Sequence, residues 1–435
     1  QDGYAPENVS QITGVPSDRI VAVARRFAQA GKPLAVCGNG KGDVPASLQT
    51  AQAVHALNAM VGSINRPGGL VAVPEPAYIE WADVEMDRIA SNGMQQPRID
   101  GAGGGEFPYA RYLLNRLPQA VNEAAESPLQ VLFVSGANPV YSQHGAQDFL
   151  DALEKIPLVV SFSSYLDETS AAADMILPNH MYLERYEDVP AVFGFPRPLI
   201  GLVQPAVYPL FNTRYVGDVL IQLASEMGGT IADAFGWENY ESCLQETLAD
   251  QWDTLVEEGY TVDEDFTPAS WTDGFETASM KFEFHNSDMD AALGYQPLEP
   301  EGQASEYPLL LIPYDTMRLA TRYIGSPPFL IKSLEDTILM QKEVLVEINP
   351  ATAREFGLSE GRRVTLTTPL GSARVKIHLV EGIMPGLVAM PRGLGHTAYD
   401  AFLAGNGVNV NQLIGPVEDP ASGLDVAWGI RAKMS

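Results

Sequence analysis

The stretch Pro157-Leu-Val-Val-Ser-Phe-Ser-Ser-Tyr-Leu-Asp167-Glu-Thr-Ser-Ala-Ala-Ala-Asp-Met-Ile-Leu177-Pro-Asn-His-Met-Tyr-Leu-Glu184-Arg-Tyr-Glu-Asp-Val189 decides how the rest of the chain is read. Leu158 to Phe162 is a short, β-branched apolar run, the pattern of a strand buried on both faces of a parallel sheet. Ser163 and Ser164 then place hydroxyls at the strand's carboxyl end. Asp167, Glu168 and Thr169 supply acceptors where a helix start leaves N–H groups unpaired. An Ala-rich turn leads to a second apolar triplet, Met175 to Leu177, stopped by Pro178. Fixed carboxylates thus stand at the carboxyl edge of an open α/β sheet, where such sheets bind nucleotides. A carboxylate there suits a purine offering paired N–H donors; the alternative is that Asp167 only caps a helix.

One strand earlier, Val131 to Ser135 breaks into Gly136-Ala137-Asn138-Pro139. Gly permits positive φ, Asn tolerates it and Pro fixes the exit, so the loop can present backbone N–H groups to a phosphate. Turn chemistry alone also produces such junctions. Together, Gly-Ala-Asn-Pro after one strand and Asp-Glu-Thr-Ser-Ala-Ala-Ala-Asp-Met-Ile-Leu-Pro after the next, with Glu184 behind, resemble the molybdopterin oxidoreductase family.

Size and charge bound the rest. With 435 residues about three domains are expected, and 46% hydrophobic residues is a globular composition. No apolar run approaches the roughly 20 residues of a membrane helix. A formal charge of -28, from 27 Lys+Arg against 55 Asp+Glu, argues against nucleic acid and anionic lipid as partners. Cys37 and Cys243 are too few and too distant for a metal cluster or a disulfide framework and read as buried thiols. Gln1 enters helical sequence directly, as the later part of a longer chain or a processed one would.

Tyr4 to Ala28 reads as two helices, Lys32 to Gly42 as a strand into a Gly-rich loop, and Ala46 to Val61 as a long helix. Gly38-Asn39-Gly40-Lys41-Gly42 lacks the Gly-Lys-Ser/Thr ending of a P-loop, so a tight turn competes with a cofactor contact. Pro74 to Pro108 reads as a surface excursion. Leu113 to Ala125 and Tyr215 to Met227 read as helices. Asp233 to Glu276 is acidic, with Trp237, Trp252 and Trp271 either turned inward or anchoring a partner. After Pro297, Pro327-Pro328 reads as a rigid loop. Strands at Tyr307 to Pro313, Val344 to Ile348, Arg363 to Thr367, Ala373 to Val380 and Gly386 to Met390, with an Asn349-capped helix, predict a small β-barrel. The expected architecture is α/β, with residues 1–73 as the later part of one open parallel-sheet domain and 74–298 as a second. Residues 299–435 form the terminal barrel.

The family resemblance extends over Tyr4-Ala5-Pro6-Glu7, Ile12 to Pro16, Asn65 to Gly69, the order of the terminal strands, and Asp419-Pro420-Ala421-Ser422-Gly423. It implies a terminal double-psi barrel that covers a cofactor. It also implies that any iron–sulfur cysteines and the metal-ligating residue precede this sequence. The candidate cofactor-binding residues are Gly136, Asn138, Ser163, Asp167, Thr169, His396 and Asn409. Around Tyr314 only Arg318 and Arg322 offer positive charge, which points to a vestigial crevice. Pro391 to Tyr399 and Gly405 to Asn409 resemble the large periplasmic subunits of menaquinone reductase and alternative complex III assemblies, where the fold persists without molybdenum. That resemblance implies no cofactor on this chain. Its partners would be an iron–sulfur subunit, a multihaem cytochrome c subunit and an integral quinone-binding membrane subunit, on the periplasmic side of the cytoplasmic membrane. The alternative is the later half of a molybdenum bis-molybdopterin guanine dinucleotide enzyme reducing polysulfide, thiosulfate or a similar acceptor. His396 reads as a pterin contact, a proton carrier or a structural histidine.

Overall fold

A computed structural model describes residues 4–37, 47–74, 76, 86–190, 194–270, 274–284, 299–321 and 325–435. Strands β1 (Val131–Val134), β2 (Leu158–Ser161) and β3 (Met175–Ile176) form a parallel sheet in that order, with Val131 opposite Leu158 and Val160 opposite Met175. The helix Ala146–Lys155 makes the crossover from β1 to β2. Its Ala146, Phe149, Ala152 and Leu153, at helical spacing, turn onto the sheet and pack with Val121, Ile156 and Val159. β2, the central strand, is buried over Val159 to Ser161, whereas the edge strand β1 leaves Val131 and Phe133 exposed.

A second sheet, not legible in the sequence pattern, is antiparallel: β4 (Glu187–Val189), β5 (Leu199–Val203) and β6 (Tyr260–Val262). The helices Tyr240–Thr247 and Trp252–Glu258 cover it through Leu244, Leu248 and Leu255 over Ile200 and Leu202. Trp252 packs against this core and Trp237 meets Phe235 edge-on, so both have intramolecular ring partners. Trp271 lies outside the described residues.

The barrel comprises β7 (Leu309–Tyr314), β8 (Leu339–Met340), β9 (Glu343–Ile348), β10 (Arg363–Thr367), β11 (Ser372–Leu379), β12 (Leu387–Pro391) and β13 (Ile430–Met434). The order is β11-β10-β13-β7-β12-β9, and a parallel β11–β9 pairing closes the ring; β8 extends it beyond β9. Closure removes the exposed strand edges. Alternating residues such as Leu309, Leu311, Val344, Val346, Ile348, Leu366, Val375 and Ile377 fill the interior. Sequence pattern missed β13, although Ile430, Ala432 and Met434 alternate with Arg431 and Lys433. Pro327-Pro328 does not make a loop: Pro328 opens the helix Pro328–Lys332, because proline's fixed φ and missing N–H suit a first turn.

In residues 4–74 the helices Pro6–Thr13 and Ser17–Gln29 bury no residue. The strand expected from Lys32 is not formed through Cys37. Instead the buried Asn58 amide takes the part of a neighbouring strand: Ala35 N–H donates to Asn58 Oδ1 and Asn58 Nδ2 donates to the Ala35 carbonyl, both at 2.8 Å. Cys37, expected buried, is exposed at the end of this unpaired segment; Cys243 is buried, and burial pushes its thiol up to about 11. The Gly38 to Gly42 loop lies outside the described residues. No described helix is long and apolar enough to cross a membrane, and no described group of His, Cys, Asp and Glu could hold a metal ion.

Candidate functional site

At the carboxyl ends of β1 and β2 a cleft of about 310 Å³ opens, lined by Gly136, Ser163, Ser164, Tyr165, His180 and Arg185 among others. Gly136 holds φ +61, so the strand-to-helix turn there takes a conformation that favours glycine. Arg185 supplies a cation, already committed to Glu187 at 2.7 Å and to the His180 carbonyl at 2.6 Å. Of the expected residues, Gly136 and Ser163 line this cleft. Asn138, Asp167, Thr169, His396 and Asn409 do not.

Those five are buried: Asn138 and Thr169 bond each other, His396 and Asn409 reach from the barrel to Glu168 and Tyr141, and Asp167 bonds within its own turn. Asp167, fully buried, caps the short helix Glu168–Ala171: Oδ1 accepts from Ser170 N–H and Oδ2 from the Ser163 hydroxyl, each at 2.7 Å. Asn138 Oδ1 accepts from the Thr169 hydroxyl at 2.7 Å and from Thr169 N–H at 3.2 Å. The Thr169 hydroxyl oxygen in turn accepts from Val140 N–H at 3.2 Å. Asn138 Nδ2 donates to Glu168 Oε2 at 2.7 Å.

Glu168 is the centre that sequence reasoning passed over in favour of its neighbour. Its Oε1 accepts from His396 Nδ1 at 3.0 Å, Thr397 N–H at 2.8 Å and Ala398 N–H at 3.3 Å. Burial works against ionisation, but the His396 imidazole and the Asn138 amide outweigh it and hold the carboxyl at about 2. Glu168 accordingly accepts and His396 Nδ1 carries the proton. The His396 ring stacks on Tyr141 (centroids 3.8 Å apart) and meets Tyr399 edge-on (4.9 Å). Burial, with Glu168 nearby, raises both tyrosines above the ordinary phenol range.

The same seam continues through Tyr141, whose hydroxyl donates to the Leu394 carbonyl at 3.0 Å. Its own carbonyl accepts from Asn409 Nδ2 at 2.8 Å and Asn411 Nδ2 at 3.2 Å. Tyr399 N–H donates to the Leu166 carbonyl at 2.7 Å, from a backbone with φ +73. Tyr141, Tyr399 and Asn411 were not among the candidates; Tyr141, two residues beyond Pro139, carried the nearest signal. Arg318 faces the surface, donating to the Ser333 carbonyl at 2.7 Å, and Arg322 lies outside the described residues. Among the described residues, two buried nitrogens in the segment Pro391 to His396 have no partner: Arg392 Nε and His396 Nε2.

Two family models match this chain: molybdopterin oxidoreductase over residues 20–226 and molybdopterin dinucleotide binding domain over residues 331–425. The menaquinone reductase molybdopterin-binding-like subunit of Nitratidesulfovibrio vulgaris is 33% identical over 98% of this chain and 56% of the relative. The arsenate respiratory reductase molybdopterin-containing subunit of a Shewanella species is 24% identical over 98% of this chain and 60% of the relative. The thiosulfate reductase molybdopterin-containing subunit of Salmonella typhimurium is 25% identical over 97% and 60%. The chain therefore spans less than two thirds of the length of these curated relatives. Acetylene hydratase from Pelobacter acetylenicus superposes with a TM-score of 0.76 at 20% identity, over 100% of this chain and 65% of that one, which shows the fold. With the strand-edge motifs, the closed barrel, and a family model on each, the chain belongs to the molybdopterin oxidoreductase family of oxidoreductases.

Proposed function

We propose that this chain belongs to the large subunit of a membrane-associated menaquinone reductase complex and scaffolds electron transfer to quinone without molybdenum chemistry of its own. The observation that carries the reading is where the motif residues spend their polar atoms. A guanine dinucleotide needs an acceptor pair for its base and N–H donors or cations for its pyrophosphate. Both Asp167 oxygens are held by Ser163 and Ser170, and Asn138 uses both ends of its amide on Thr169 and Glu168. As arranged, these residues do not fit that group. They brace the strand-edge turns from which Glu168 reaches His396 and the barrel loop, and a joint of that kind is what a scaffold requires. Similarity to a subunit described as molybdopterin-binding-like, over 98% of the chain, supports the same reading.

In this reading the partners are an iron–sulfur subunit, a multihaem cytochrome c subunit and an integral membrane subunit that binds quinone. They hold the chain at the periplasmic face of the cytoplasmic membrane. Residues 1–73, 74–298 and 299–435 act as its three units.

One observation favours a second reading, a catalytic subunit loaded with molybdenum bis-molybdopterin guanine dinucleotide. Arg392 Nε and His396 Nε2 are buried without a partner, and buried polar atoms ordinarily have one. Metal and nucleotide analysis of the native complex separates the two. Molybdenum and guanine nucleotide far below one per chain are expected, and stoichiometric amounts of both would replace the scaffold reading with the catalytic one.

A further inference from the structure

A second opening lies beside the first and has a different character. It is a cleft of about 570 Å³ whose lining includes Glu184, Tyr186, Tyr215, Asp218, Tyr240 and Glu241. Among the described residues of its lining, Arg185 is the one Arg or Lys. That charge is taken by Glu187 and the His180 carbonyl, while the guanidinium lies 5.0 Å over the Tyr215 ring. Glu184 accepts from Met181 N–H at 2.9 Å and Leu210 N–H at 3.0 Å, which hold it below the ordinary carboxylate range and keep it charged. Asp218 accepts from Tyr240 N–H at 2.8 Å. The lining thus carries three carboxylates against one committed guanidinium, among tyrosine rings.

An apolar loop forms the rim. Tyr208 is 95% exposed, Leu210 79% and Phe211 75%, with Tyr182 and Leu183 also exposed beside them. The backbone of this loop is fixed by polar contacts. Ala206 and Val207 N–H donate to the Leu183 carbonyl at 2.8 and 3.2 Å, Leu210 N–H donates to Glu184, and Arg214 N–H donates to the Pro178 carbonyl at 3.0 Å. Pinned in this way, the loop holds its large side chains in solvent. A fixed, contiguous apolar surface of this kind marks a contact site.

We infer that this face docks a second, basic polypeptide, which seats a Lys or Arg side chain among Glu184, Asp218 and Glu241 and covers Tyr208, Leu210 and Phe211 with apolar residues. Charge complementarity selects the occupant. A tyrosine-walled, acid-edged opening attracts ammonium and guanidinium groups through both ring faces and carboxylates. A second copy of this chain carries the same formal charge of -28 and is repelled, as is an anionic lipid surface. An apolar rim beside a charged recess is also how interface anchors are arranged. The inference does not rest on the quinone reductase reading.

The test uses the full protein in its native cells, with a benzophenone amino acid replacing Phe211 and irradiation before isolation. The expected product is one adduct to a different polypeptide, mapped by mass spectrometry to a segment containing Lys or Arg. Glu241→Lys should lower adduct yield about tenfold, and so should raising salt from about 50 to about 500 mM during irradiation of the isolated complex. An unchanged thermal midpoint for Glu241→Lys shows that the loss is not unfolding; if that variant unfolds, Glu241→Gln serves, with a smaller loss expected. Adducts confined to this chain, to a second copy or to lipid, no adduct at all, or a yield indifferent to both charge and salt would overturn the proposal.

Discussion

Glu168 and Glu184 stand sixteen positions apart on one stretch, and their regions use the same chemistry in opposite directions. Glu168 is buried at the seam, accepting from Asn138 and from His396 across 228 positions of sequence. Glu184 is half-buried, accepts from the N–H groups of Met181 and Leu210 with His180 nearby, and leaves its charge in an open cleft. The difference lies in what each carboxylate meets. Around Glu168 the barrel loop Gly395 to Ala398 supplies donors that repay desolvation; around Glu184 the described residues supply backbone N–H groups, and Arg185, which lines the same cleft, is committed to Glu187 and the His180 carbonyl. The first region has the character of an internal joint, the second of an unfilled one.

The sharpest way to break this contrast is to remove the joint. Glu168→Ala leaves a buried imidazole and a buried amide, with two part-buried backbone N–H groups, without their acceptor. We expect a loss of about 3–5 kcal/mol in urea unfolding. A loss under about 1 kcal/mol would mean that the seam is wet and the joint reading wrong. Gly395→Ala attacks the same seam from the barrel side. A Cβ there would sit 2.0 Å from Asn409 N and 2.3 Å from Val408 C, on a backbone with φ +77. About 3 kcal/mol is expected by the same measurement, with Gly386→Ala, which meets nothing within 4 Å, as the control for backbone strain alone.

Acid should act through Glu168 as well. Its carboxyl sits at about 2 in the folded chain against an ordinary 4.5, so between those values the unfolded chain binds the additional proton. Stability from this group is complete above about pH 4.5 and falls away as the pH drops toward 2, a loss of about 3 kcal/mol. Glu168→Gln should flatten that part of the pH–stability curve. An identical curve for the variant would assign the acid sensitivity elsewhere.

Asp167→Ala is expected to cost less, about 1–2 kcal/mol for a lost helix cap. Because both its oxygens already have partners, the native complex should show the same guanine nucleotide content before and after the change. Release of nucleotide on substitution would show that the carboxylate turns outward to hold a base.

Much of this organisation was legible beforehand. The two parallel strands, the Gly-Ala-Asn-Pro turn, the Asn349 cap and most barrel strands follow from local patterns of apolar residues, Gly and Pro, which act over a few positions. The choice between Asp167 and Glu168 does not. Both are carboxylates at a helix start, and only the partner 228 positions later decides which one reaches across and which caps its own turn. The Lys32 to Cys37 segment misled for a related reason: its pattern suits a strand, but a side-chain amide from Asn58 satisfies its backbone in place of a neighbour. The antiparallel sheet was missed because β4 and β6 are three residues each, too short for alternation to register.

The smallest expected effect on stability belongs to the open region, and it is the one that most sharpens the contrast. Phe211 is 75% exposed, so Phe211→Ser removes little packing and should change the unfolding free energy by less than about 0.5 kcal/mol. The backbone pins at Leu183, Glu184 and Pro178 survive the substitution, since none involves the ring. If the loop is held outward for a partner, the variant should fold as well as the parent and yet dissociate faster from its native complex, measured by the decay of co-purified subunits during dilution. If instead Phe211 closes against the chain in solution, the stability loss should approach the roughly 3–5 kcal/mol of a buried phenylalanine. A stability effect of that size would remove the distinction between the filled joint at Glu168 and the open one at Glu184.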